Sequence, residues 1–599
     1  MSYSKKYAFA SLPRTQRGTP LVLGGDPKGK NFLYTNGNSV YIRDINNPEI
    51  CDIYTQHSTT VTVAKYSPSG FYIASGDASG KVRIWDTVNL EHILKNEFQP
   101  ISGEIRDIAW SPDSQRIVVV GNGRERYAHV FMADTGTSVG EVLGQTKIIN
   151  TVDYRPARPF RIITGSEDNS LGFFEGPPFK FKLTKNEHNR FVQAVRFSPN
   201  GELFASAGFD GKIFIYDGKT ADLVGEVGSP AHKGGVYAVA WSPDGKQLLS
   251  SSGDKTCKIW DVETRALVTD FCMGSTVEDQ QYSCLWQGEH LLTVGLHGFI
   301  TYLDPNNPSQ PKRVIKGHNK PITALAVSRD RNHIYTGSHD GNVTQWDVAT
   351  GSSERVEGNG HGNFISGATT TSDSLYTIGY DDSLRTVDLQ KMGYTDSMSL
   401  GAQPRAIAIS DGTVAVVTVK ELMLVRDGSR VASLAIDCDP SAVAYNAASG
   451  DLAVGTQDTN KVLVYGVSGS SITLKQELQH QGAVTDAAYS PDGNFLVACD
   501  GHRKVVLYRL PDYSVANPQE WAFHAAKVNS VAWSPDSSLV ASGSLDTNVI
   551  VWSARDPRQH LILKRAHDQS QVTRVAWIDD KTLVSVGQDC NTRLWNVSL

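Results

Sequence analysis

One spacing recurs down this 599-residue chain and limits what it can fold into. From His524 it is 18 residues to Ser542, 22 to Asp546 and 28 to Trp552. The same 18, 22 and 28 separate His567 from Ser585, Asp589 and Trp595, His318 from Thr336, Asp340 and Trp346, and His232 from Ser250, Asp254 and Trp260. His188, Ser206, Asp210 and Tyr216 repeat it with Tyr for Trp. His57, Ser75 and Trp85 keep the frame with Ser79 in the Asp place. Within the His524 copy, Val528, Ser530 and Ala532 alternate and a Ser534-Pro535-Asp536 turn follows. A small-residue run from Leu539 to Gly543 leads to a turn at Asp546 and a β-branched run closing on Trp552. Alternation of period two bounded by turn residues predicts short antiparallel strands. Three strands fit between His and Trp and a fourth fits before the next His. One such sheet cannot bury both its faces alone, so the copies must pack on one another.

The residue types also have a physical reading. An imidazole that accepts from a hydroxyl and donates to a carboxylate, with an indole N–H nearby, satisfies polar groups buried between strands. His, Asp and Ser together could instead form a catalytic triad, but recurrence of the set in five repeats points to internal bracing. The set resembles the WD-repeat tetrad, and that resemblance implies an all-β chain of propeller blades.

Read in order, the copies number fourteen. Blade one (strands within 21–54) and blade seven (282–315) are degenerate, and blades nine to eleven (about 361–390, 402–436 and 440–477) have lost the Trp. A fourteen-bladed ring lies outside the usual range of about four to eight. Two tandem seven-bladed propellers follow, 18–316 and 317–599. The first is expected to have four strands in every blade. The second ends three strands into its last blade, which leaves an open edge. The alternating stretch at 6–13 is predicted to cross over and supply that strand, with chain passages between the rings near 13–18 and 316.

Composition narrows the function. The net charge is −6 and the pI about 6.2, which argues against a nucleic-acid footprint. The N-terminus MSYSKKYAFASLP lacks the apolar core of a signal peptide, and no run is long enough to insert in a membrane. The seven cysteines are scattered without a CxxC, as expected of reduced thiols in a cytoplasmic protein, and neither a metal site nor another cofactor is expected.

Segments outside the repeat frame are more specific. Ser11-Leu12-Pro13-Arg14-Thr15-Gln16-Arg17-Gly18, Gly123-Arg124-Glu125-Arg126, Glu175-Gly176-Pro177-Pro178-Phe179-Lys180-Phe181-Lys182, Val277-Glu278-Asp279-Gln280-Gln281 and Trp521-Ala522-Phe523-His524 resemble the actin-interacting protein 1 family. The resemblance covers the whole chain. It implies a non-catalytic monomer of the cytoplasm and cytoskeleton, in actin-rich structures, whose partners are actin filaments and cofilin (actin-depolymerising factor). It also implies that the protein promotes severing and disassembly of cofilin-decorated filaments and caps barbed ends. It places the contact on the first propeller, at Glu125 with Arg124 and Arg126, at Glu167, at Phe181 with Lys180 and Lys182, and at Phe191. Aromatics amid charges suit a surface with an apolar anchor and a polar rim.

Blander readings stand beside these. Charged turns are commonly just solvated, and the two phenylalanines could be blade packing. Asp168 falls on the tetrad count and is read as structural. A generic WD-repeat scaffold for another complex would carry an added partner segment, which the repeats leave no room for. An enzyme would need His and Asp out of register, whereas most here recur in frame.

Overall fold

The computed structural model describes residues 2–518 and 521–598; Met1, Gln519, Glu520 and Leu599 lie outside them. Among the described residues there are fourteen antiparallel sheets, thirteen of four strands and one of three. The chain forms two compact units. One is Leu12–Ile315; the other runs from Lys316 to the C-terminus and takes in the first residues as far as Ser11.

Blade thirteen shows how the repeat sequence makes its sheet. Its strands are Val528–Trp533, Leu539–Ser544, Val549–Ser553 and His560–Leu563. Every residue of Leu539–Ser544 is buried, because neighbouring blades cover both faces of that strand. This is why the run is small rather than alternating: a Cβ on Gly543 would lie 2.5 Å from a Val572 methyl of the next blade. The innermost strand carries a bulge after its first residue in most blades, for example between Val528 and Ser530 and between Ile322 and Ala324. The polar residue at the second position then stitches blade to blade. Thr323 donates to the Ile365 carbonyl (2.6 Å), Thr485 to that of Val528 (2.6 Å) and Asn529 to that of Val572 (2.8 Å). Thr573 donates to Ile322 (2.7 Å), which joins blade fourteen to blade eight and closes this ring. The other ring closes through Gln287, which accepts from Asp26 N–H (2.8 Å) and donates to the Asn31 carbonyl (2.9 Å).

The N-terminal strand is Ser2–Phe9, earlier in the chain than the predicted 6–13. It pairs antiparallel with Thr592–Ser598 as the fourth strand of blade fourteen. Most of it is exposed, as an outermost strand should be, but its end is anchored. Phe9 is buried and stacks on Trp346 at 5.2 Å, and Ser11 N–H donates to Asn591 Oδ1 at 2.9 Å.

The tetrads are chains of hydrogen bonds. In blade thirteen Trp552 donates to Ser542 Oγ (2.8 Å), Ser542 bonds His524 Nε2 (2.8 Å), and His524 Nδ1 faces Asp546 (2.9 Å). A carboxylate beside Nδ1 fixes the N–H there, so Nε2 accepts and each donor has a partner. His232 with Ser250, Asp254 and Trp260, and His567 with Ser585, Asp589 and Trp595, repeat the arrangement. In the His188 set Tyr216 instead donates to Glu187.

Three expectations need correction. Ser79 does not stand in for the carboxylate of blade two: Asp77, two residues earlier, meets His57 at 3.0 Å, and Ser79 donates to Asp77. Blade twelve makes the same move, with Asp500 facing His480 at 3.3 Å and Tyr508 bonded to Nε2 at 3.0 Å. Asp340 turns to Ser338 and to Asn342 (2.9 Å), and no bond from it to His318 occurs among the described residues. Drifted blade nine keeps its core bonds, His361 to Thr377 (2.9 Å) and Asp381 (2.8 Å), on a shorter spacing. Blade three has three strands, not four: Glu104–Trp110, Arg116–Asn122 and Ala128–Met132.

These networks predict acid sensitivity. Burial alone would raise the tetrad carboxyls, but hydroxyl bonds from Ser383 and then His361 bring Asp381 down to about 2, and His567 brings Asp589 down to about 2. Asp254 and Asp546 shift the same way through His232 and His524. Burial takes His318 down to about 4. A folded pKa below the unfolded one gives stability that is complete above the unfolded value and is lost as pH falls through the folded one. The His318 contribution is therefore lost from about pH 6.5 towards 4, and the carboxylate contributions from about pH 4 towards 2. Each of the latter is worth on the order of 2 kcal/mol. The melting midpoint should decline gently to pH 4 and steeply below it; a flat profile from pH 6 to 3 would refute this.

Candidate partner-binding surface

One hydrogen bond sets the face on which the candidate residues stand. In blade after blade, the N–H that follows the second strand donates to the carbonyl just before the first. Glu167 donates to Ile148 (2.9 Å), Phe209 to Phe191 (2.8 Å) and Gly253 to Gly235 (2.9 Å). In blade three Arg124 N–H reaches Ser102 Oγ (3.3 Å). Glu125, Glu167 and Phe191 thus lie on one face of the Leu12–Ile315 unit, on consecutive blades three, four and five.

The Glu125 loop follows Arg116–Asn122. Close backbone approach shapes it: a Cβ on Gly123 would lie 1.9 Å from the Arg126 carbonyl oxygen, and one on Gly103 2.1 Å from that of Asn122. Arg124, Glu125 and Arg126 are exposed on this rigid base. Arg126 bonds the His129 ring at 3.1 Å, and burial followed by the Arg126 charge pushes the His129 pKa down. Glu167 is half-buried, and its neighbour Asp168 takes Thr146 N–H (2.8 Å) and Ser170, the structural role expected of it. Gln145 stands where other blades have His and accepts from Thr164 (2.5 Å).

Phe191 has a companion that the sequence reading missed. Phe191 is 42% and Phe209 36% exposed, and the Arg190 guanidinium lies 5.9 Å from the Phe209 ring. Phe209 occupies the same turn slot as Glu167, each just before its tetrad-position Asp, so aligning the turns would have found it.

Phe181 stands apart from these. It lies on the outermost strand of blade four, Lys180–Lys185, soon after the Gly176–Phe179 connection, and so near the opposite end of the blade from Glu167. Its ring is 46% exposed, with an edge on buried Phe174 at 5.9 Å and Gly144 beneath it, so one side packs on the blade and the other is open. Lys180 is exposed opposite Glu175, and Lys182 pairs with Glu175 at 3.4 Å. The absent strand of blade three explains this corner. Its chain makes one bridge to the third strand, Ser138 to Phe131, and then runs alongside the 176–179 connection, with Phe179 N–H donating to Val139 (2.8 Å) and Glu141 N–H to Phe179 (3.1 Å). Buried Phe179 anchors the connection beside Val142, Tyr154 and Phe160. The structure therefore offers two patches: Glu125–Glu167–Phe191 on one face, and Phe181 with its lysines at the outer edge.

No group of His, Cys, Asp or Glu suited to a metal ion occurs among the described residues. No helix there is long and apolar enough to cross a membrane.

Comparison with known proteins follows the same lines. The WD domain, G-beta repeat family matches residues 49–86, 179–217, 226–261, 309–347, 472–509, 518–553 and 558–596. The chain is 62% identical over 599 residues to "Actin-interacting protein 1" of Drosophila melanogaster, covering 100% of this chain and 98% of that one. It is 51% identical over 536 residues to "WD repeat-containing protein 1-B" of Xenopus laevis, and 49% over 536 to "WD repeat-containing protein 1" of Mus musculus, covering 88% of each chain in both cases.

Proposed function

Because the chain belongs to the actin-interacting protein 1 family of WD-repeat proteins, we propose that it binds actin filaments decorated with cofilin and promotes their severing and disassembly, and that it caps the barbed ends produced. It works as a cytoplasmic monomer in actin-rich structures and catalyses no reaction of its own. Its effect is thermodynamic. A binder that prefers the cofilin-altered filament or its severed end to the intact lattice shifts the equilibrium by that difference in affinity. A preference of ~2.7 kcal/mol would bias it about a hundredfold.

The observation that carries this reading is the alignment of Glu125, Glu167 and Phe191 on three successive blades, set by one backbone bond in blades four and five and by the Arg124 N–H to Ser102 Oγ bond in blade three. Phe191 and Phe209 supply the apolar anchor, and Arg124, Arg126 and Arg190 the charged rim. Phe181, Lys180 and Lys182 extend the contact around the edge of blade four. Co-sedimentation tests the partner: the bound fraction should be several-fold higher on cofilin-decorated filaments than on bare ones. Equal sedimentation with both would refute the preference.

A further inference from the structure

The central channels of the two units differ. In the Leu12–Ile315 unit the 20–23 stretch and the buried Asp107, met by Lys65 (2.7 Å) and Arg196 (3.0 Å), line an interior space of only about 40 Å³, and a separate cavity of about 220 Å³ is lined by Arg14, Arg106 and the carboxylate of Glu104. In the second unit a cavity of about 310 Å³ opens at the mouth, on the face that carries the turns after the second strands. Its titratable lining residues are His339, Lys527 and Arg574, with no carboxylate among those lining it. Lys527 is exposed and enters no ion pair among the described residues. Arg574 lies 3.8 Å from Asp486, which sits behind it and also accepts from Val531 N–H (3.0 Å). Burial, its largest cause, pushes the Asp486 pKa up against the Arg574 charge. Gln571 Oε1 accepts from Asn529 (3.1 Å), which leaves the Gln571 amide N–H groups to donate.

We infer that this mouth is a binding site for a phosphate monoester. The ester's charge of about −1.5 to −2 near neutral pH can engage both Lys527, unpaired among the described residues, and the Arg574 guanidinium, which Asp486 approaches only to 3.8 Å. The planar guanidinium suits two phosphate oxygens, and the Gln571 amide and His339 supply further donors. The volume lies at the small end of ligand sites, about 300–1,000 Å³, with room for the phosphate and a short organic stem. That stem belongs either to a small metabolite or to a phosphorylated side chain; the chemistry at the mouth is shared. The filament-binding proposal does not depend on this site.

Calorimetric titration of the full chain tests it, with glycerol 3-phosphate in one arm and a phosphoserine pentapeptide in the other, against sulfate at equal ionic strength. Saturable binding of either ester, weakened about tenfold or more in Lys527→Gln while the melting midpoint holds, supports the site, and the stronger arm identifies the source. His339→Gln provides a second variant with the same expectation. No saturable heat in either arm, equal binding of sulfate, or affinity unchanged in both variants overturns the inference.

Discussion

Removing residues 2–9 should uncouple the melting of the second unit from that of the first: the unit containing 316–599 melts at least 10 °C or so lower, and the unit of 12–315 melts where it did. Physically, the deletion strips the outermost strand from blade fourteen and exposes the Thr592–Ser598 backbone as a bare edge. It also removes Phe9 from a cluster with Ile334, Trp346, Ile578, Val584 and Leu594, where the rings of Phe9 and Trp346 stack at 5.2 Å. Truncating a buried phenylalanine alone costs about 3–5 kcal/mol, so Phe9→Ala should reproduce much of the shift. Tyr7→Ala, at a half-exposed position on the same strand, should cost under about 1 kcal/mol. Differential scanning calorimetry of the three variants separates anchoring from strand pairing. A deletion that leaves both transitions in place would show that the strand contributes nothing to closure.

The second large effect concerns the surface. Glu125→Ala with Phe181→Ala should abolish cofilin-dependent acceleration of filament loss, lowering it about tenfold or more, as expected when one contact is removed from each of two patches at about 1 kcal/mol or more apiece. Both side chains are exposed, so folding should be retained. Phe181 has one edge on Phe174, so a small stability loss is expected from that position and none from Glu125. Because the two residues stand on different patches, the single variants tell which patch carries more of the contact. Full activity in the folded double variant would remove this surface from the account.

Much of this was legible in the sequence, for a physical reason. A buried His–Ser–Asp–Trp chain tolerates no slack, so its spacing is rigid and recurs unchanged in the His232, His524 and His567 blades. Counting strands from those anchors leaves one vacancy, and Ser2–Phe9 fills it. What misled the reading were places where the same bond is made another way. Asp77 and Asp500 reach the imidazole from two residues earlier, at the end of the second strand, so a fixed offset looks past them. The 137–143 stretch does not alternate, because after a single bridge from Ser138 to Phe131 of its own sheet it turns to the 176–179 connection. The candidate surface was legible through unusual segments, Gly123–Arg126 and Gly176–Lys182. Phe209 was not, since it lies inside an ordinary repeat turn. The channel mouth was illegible for a similar reason: several blades contribute unremarkable polar residues, and only ring closure brings them together.

The central claim is that this protein acts on filaments through cofilin. It is tested most directly by following the loss of filament mass at fixed actin, with the protein added in the presence and in the absence of cofilin. Acceleration confined to the cofilin-containing reaction is the predicted result. Equal acceleration without cofilin, or none with it, would contradict the claim.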